Sequence, residues 1–150
     1  MAIGVREEYP LNFKRISAGF LLAMLGSSMA AGAATNYVTP TGSNAMNGAD
    51  WDNAFSNLQD AVNAASAAGD VICLKYGVYA RTNELVVSNH PGLTIRGGYE
   101  GVGSPGGFTN APTILTRGDN NISNRLFAGY TSTLTVDRLS VTNGNSLRGA

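Results

Sequence analysis

Four short apolar segments recur at nearly constant spacing. They are "ICLKYG" from Ile72, "LTIRGG" from Leu93, "ILTRGD" from Ile114 and "LTVDRL" from Leu134, at steps of 21, 21 and 20 residues. A fixed period of this size constrains the architecture strongly, because each unit must bury its apolar face on the next. In a strand the first and third residues of each segment share a face. These pairs are Ile72 and Leu74, Leu93 and Ile95, Ile114 and Thr116, Leu134 and Val136, apolar at all but one place. Other short runs, "ELVVS" at 84–88, "RLFAGY" at 125–130 and "RLSV" at 138–141, would form the remaining sides of each turn. The pattern predicts an all-β chain folded as a parallel β-helix, a solenoid with coils of about 21 residues. A β-sandwich also has short strands at regular spacing. Its hairpin signals are scarce here, "TNGN" at 142–145 being the one good instance.

What precedes the repeats does not repeat. Residues 1–33 carry Arg6, Lys14 and Arg15 ahead of an apolar run, Ile16 to Leu25, and close on Ala31-Gly32-Ala33. Basic start, short apolar middle and small residues at −3 and −1 describe a secretory signal peptide cleaved near Ala33. The apolar run is about half the 20 residues that a spanning helix needs, so no membrane span is expected in the mature part. Residues 34–70 then read as a cap containing one helix over about 57–68. Ser56 and Gln59 have capping-box spacing, and Gly69 suits a left-handed helix end. The apolar face carries Leu58, Ala61, Val62 and Ala65. Leu58, Val62 and Ala65 are expected to cover the open end of the first coil, which would otherwise recruit another chain. Residues 71–150 would be the first coils, and the reading takes the chain as the N-terminal portion of a longer protein, since a stack halted mid-coil leaves its edges open.

The stretch "AFSNLQDAVNAASAAGDVICLKYGVY", followed by "LTIRGGYEG", "TILTRGD" and "LTVDRLSVTNGNS", resembles the start of bacterial right-handed parallel β-helix proteins of the pectin-lyase-like superfamily. The likeness is to polymorphic outer membrane proteins and other surface passengers. It covers roughly residues 36–148 and implies an exported protein, secreted or held at the cell surface or outer membrane. The implied function is a scaffold in adhesion or in carbohydrate or ligand binding. The alternative on the same fold is a polysaccharide lyase or glycoside hydrolase whose catalytic coils would lie beyond residue 150.

Few residues suggest chemistry. Ten basic and ten acidic side chains cancel, and no basic tract with interleaved aromatics appears, so nucleic acid is not an expected partner. The single cysteine, Cys73, lies between Ile72 and Leu74 as a small apolar strand residue, and the single histidine, His90, lies in the turn-like "SNHPG". "GVGSPG" at 101–106 fits G-x-G-x-x-G, but "FTNAPT" soon after it cannot open the helix that a dinucleotide site requires. Asp119 and Asp137 fall at different places in their segments, against the facing pair that glycoside hydrolysis needs. No catalytic residue, metal site or cofactor is assigned. The fourth position of the segments reads Lys75, Arg96, Arg117 and then Asp137. Stacked in register, the three cations would form a column that either splays into water or binds an acidic polysaccharide or the surface of a host or neighbouring cell.

Overall fold

The computed structural model describes residues 32–43, 45–118 and 125–143. Nine short strands and one helix follow in the order β1 (Thr35–Val38), α1 (Leu58–Ala64), β2 (Val71–Lys75), β3 (Gly77–Arg81), β4 (Leu85–Ser88), β5 (Pro91–Tyr99), β6 (Thr113–Arg117), β7 (Phe127–Tyr130), β8 (Thr133–Asp137) and β9 (Ser140–Thr142). They pair only in parallel, in three small sheets ordered β1-β2-β5-β8, β3-β6-β9 and β4-β7. The fold is all-β in character.

The structure corrects the expected right-handed parallel β-helix with coils of about 21 residues. The four segments that look alike in sequence do not all stack in one sheet. Those from Ile72, Leu93 and Leu134 share the four-stranded sheet, whereas the one from Ile114 is β6 and pairs with β3 as Val78↔Ile114. Offsets within the four-stranded sheet are uneven, as Tyr37↔Cys73, Ile72↔Ile95 and Ile95↔Val136 show. The physical cause is that a Leu/Ile-Thr alternation fits any half-buried strand, so its recurrence does not say which sheet receives it. A further correction concerns β6, whose inward residues are Thr113, Leu115 and Arg117, with Ile114 and Thr116 half-buried on the other face.

The core lies between the sheets and under the helix. Ile72, Leu74, Leu85, Val87, Leu93, Ile95 and Leu115 are buried together with Val38, Phe55, Leu58, Val62 and Ala65. Fully burying such a side chain is worth about 1.5–3 kcal/mol, so this cluster is the main source of stability. Outside it, Val136 and Val141 on β8 and β9 remain 43% and 48% exposed.

The helix is shorter than expected, seven residues rather than about twelve, and its ends are set differently. Asn57, not Ser56, is the N-cap, its Oδ1 accepting from Gln59 N at 2.9 Å. The Gln59 side chain reaches the edge of β4 instead, where Oε1 accepts from Val86 N at 2.9 Å and Nε2 donates to Val86 O at 2.8 Å. One amide thus imitates a neighbouring strand on an edge that would otherwise be open. At the other end, the Asp70 carboxylate accepts from Ser66 N at 2.7 Å and Ala67 N at 2.8 Å. Those donors are lost to the helix, which stops at Ala64, five residues before Gly69.

Candidate functional site

A cleft of about 440 Å³ opens between the start of α1 and the outer face of β3. Backbone geometry builds it. β3 begins at Gly77, with φ 137°, where a Cβ would stand 2.8 Å from Pro40 Cγ, so only glycine lets the strand start this close under Pro40. Alternation along β3 then turns Tyr79 inward and leaves Val78 and Ala80 exposed. The Tyr79 hydroxyl is shared between Val38 O at 3.0 Å and Lys75 O at 2.8 Å, and burial pushes its pKa well above the usual phenol value. Tyr79 is therefore a neutral strut beneath the cleft.

Arg81, the last residue of β3, supplies the charge on the cleft wall. Its Nη1 donates to Asn57 Oδ1 at 3.0 Å and its Nε to Asn83 O at 3.4 Å. Two of the five N–H donors of a guanidinium are so engaged, and the fork is held by an N-cap whose own position is fixed by the helix. Partial burial lowers the pKa of Arg81 and Asp60 opposes that, so the group stays cationic in a partly desolvated place. The rest of the lining includes Pro40, Leu58 and Val78 on the apolar side and Ser56, Asn57, Thr82 and Asn83 on the polar side. Such a mixture suits a small polar ligand carrying negative charge.

The column expected of Lys75, Arg96 and Arg117 does not form. In the four-stranded sheet Arg96 is level with Cys73 and Asp137, and Lys75 is level with Tyr99. Arg96 Nε donates to Asp137 Oδ2 at 2.9 Å, with both side chains about 40% exposed, and the Tyr99 hydroxyl followed by Asp137 holds its pKa up. Lys75 lies with its stem against Gly101 and its Nζ 5.8 Å from the Tyr76 ring centroid. Arg117 is in another sheet, level with Arg81, and is 5% exposed, donating from Nη2 to Thr82 O at 2.9 Å. The three cations serve three local structures.

Aromatic side chains on the outer face of the four-stranded sheet are committed to one another. Tyr37 meets Trp51 edge-on at 4.7 Å, Trp51 is 5.9 Å from Tyr99, and Tyr99 is 4.5 Å from Phe108. Arg138 lies 4.2 Å from the Phe108 centroid, so that ring is held between a tyrosine and a guanidinium. Trp51 Nε1 donates to Pro105 O at 2.9 Å. Together they bind the glycine-rich loop 100–108 to the sheet. Beneath them, burial pushes the Cys73 thiol pKa up, with Tyr99 and Arg96 acting the other way, so the thiol is not activated.

Leu58, Val62 and Ala65 are each 1% exposed and pack into the main core, and the helix contacts β1 and β4. Among the described residues no group of three or more His, Cys, Asp or Glu is placed to hold a metal ion, and no helix is long and apolar enough to cross a membrane. The Arg81 cleft was missed in sequence because its partners Asn57 and Asn83 are ordinary turn and cap residues. An arginine ending a strand just before "TNE" was the one available signal. In comparisons with known proteins, no family model, no curated protein and no solved structure matches this chain.

Proposed function

We propose that the chain is an exported scaffold, secreted or held at the cell surface, that binds an acidic carbohydrate through the Arg81 cleft. The observation that carries this reading is a half-buried guanidinium, fixed by Asn57 and Asn83, with N–H donors to spare on the wall of a cleft large enough for a sugar or two. Asn57, Thr82 and Asn83 offer hydroxyl and amide partners, and Val78, 55% exposed, with Pro40 offers an apolar wall. The lining carries donors and no carboxylate, which suits holding an anion better than cleaving a glycosidic bond. The leader-like residues 1–33 support export.

Retention on immobilised polyuronate and on a neutral glucan tests it. Arg81→Ser should reduce affinity for the uronate by about 10- to 100-fold, the loss of one or two charge-assisted hydrogen bonds. Arg96→Ser, which touches the outer sheet face, should leave retention unchanged. Equal retention of the wild type on both columns, or an unaffected Arg81→Ser protein of normal Tm, would sink the reading.

A further inference from the structure

We propose that the bond between Ala33 and Ala34 is a processing site and that the α-ammonium created on Ala34 becomes the partner of the buried Asp70 carboxylate, so that maturation locks the fold. The inference rests on the exported reading and adds a consequence to it. Asp70 is 1% exposed. One of its oxygens accepts from Ala34 N at 2.7 Å, and the other takes the N–H groups of Ser66 and Ala67. Ala34 is also tied by its carbonyl, which accepts from Val71 N at 2.9 Å at the head of the β1–β2 pairing. Just upstream, Gly32 and Ala33 are exposed, lie outside any strand, and leave open space around Gly32. Gly32 and Ala33, at −2 and −1 of the expected cleavage site, are therefore accessible beside a nitrogen the fold holds.

The chemistry is a hydrolysis. Water gives its hydroxyl to the Ala33 carbonyl carbon, the C–N bond breaks, and the proton goes to the departing Ala34 nitrogen. Ala33 leaves as a carboxylate, its acid proton passing to the amine, which becomes an ammonium. The nitrogen that donated to Asp70 as a neutral amide is the same atom, now carrying a positive charge opposite a buried negative one. Cleavage one residue later would remove both bonds that Ala34 makes, so the geometry selects the Ala33–Ala34 bond over its neighbour. The compact unit containing every described residue runs Ala31–Ala150, so the cut leaves the core untouched.

A free α-amino group titrates at about 7.7–8.0, and pairing with Asp70 raises that value in the folded state. Its contribution is fully present below the unfolded value and is lost as pH rises through the raised folded one. His90 is the other titratable group acting on Asp70; the remaining groups on the carboxylate are the backbone N–H groups of Ser66 and Ala67.

The experiment expresses the whole 150-residue chain in a bacterial host that exports it, reads the N-terminus by mass spectrometry, and follows the α-amine by NMR titration. The expected protein begins at Ala34, and its α-amine titrates roughly one unit above the ordinary value. Its Tm falls by roughly 5 °C between pH 7 and pH 10. Asp70→Asn should return the titration to the ordinary range, and His90→Gln should leave it raised. If Asp70→Asn does not fold, the wild-type titration decides alone. An ordinary α-amine value on a protein that starts at Ala34 overturns the lock, and so does cleavage at another bond, with export intact. A chain that keeps residues 1–33 overturns the exported reading itself.

Discussion

Asp70→Ala should be among the most damaging substitutions of a charged residue in this protein. The carboxylate gathers three backbone N–H groups from two places in the chain, Ala34 before β1 and Ser66 and Ala67 after the helix. Hydrogen bonds to a charged acceptor are worth about 1.5–3 kcal/mol each, which sums to about 4.5 kcal/mol at the low end. Relief of the carboxylate's own desolvation offsets part of this, leaving a net loss of about 3 kcal/mol. For a folded unit of about a hundred residues that is a Tm drop of roughly 10–20 °C. The acid side supplies a second signature. Burial acts to raise the Asp70 pKa, but the bonds from Ala34, Ala67 and Ser66, with His90, outweigh it and hold the group below the ordinary carboxylate value of 3.8. A depressed folded pKa means that its stabilisation is present above the unfolded value and is lost as pH falls through the folded one. Urea unfolding followed by circular dichroism between pH 7 and pH 2.5 measures both effects. The wild type should lose stability below about pH 4 more steeply than Asp70→Ala. A variant costing under 1 kcal/mol, with an unchanged acid slope, would refute the assignment of these bonds as the latch.

Two further substitutions test the register and the edge. Leu115→Ala should cost about 2–5 kcal/mol and Ile114→Ala clearly less, since only Leu115 is in the core; the reverse order in chemical denaturation would restore the phase expected from sequence. Gln59→Ala removes both bonds to Val86 and should cost about 1 kcal/mol, with faster amide exchange at Val86 than in the wild type; unchanged exchange would show that the side chain does not shield the edge.

The parts of the fold legible in sequence are those where a residue's face is fixed by its neighbours. Ile72 and Leu74, Leu93 and Ile95 alternate with more polar or smaller residues and are buried as expected. "TILTR" offers adjacent Ile114 and Leu115, so either phase can be buried, and a slip of one residue exchanges the two faces. What selects Leu115 is pairing with Tyr79 on β3, a contact between residues 36 apart. Helix position was legible from Leu58, Ala61 and Val62, but its end was not, because Asp70 withdraws Ser66 and Ala67 by side-chain bonds that no propensity scale contains. Gln59 has capping-box spacing, yet a strand edge 27 residues downstream offers its amide two bonds at once.

Arginine position in the sequence says little about what an arginine does, and three of them here show why burial and partner must decide. Arg117 points inward and spends donors on backbone carbonyls such as Thr82 O, which fixes the end of β6. Arg96 points outward and meets Asp137, an exposed pair worth at most about 1 kcal/mol, and one that lowers the charge an anion would feel. Arg81 is intermediate in both respects. It is desolvated enough for its charge to act strongly and is aligned by neutral partners, Asn57 and the Asn83 carbonyl, that leave that charge uncancelled. Burial lowers its pKa and Asp60 acts the other way, without a hydrogen bond to it among the described contacts. On the proposed reading, an anion entering the cleft would meet an arginine whose geometry is already set, the condition under which a single charged contact yields binding rather than reorganisation.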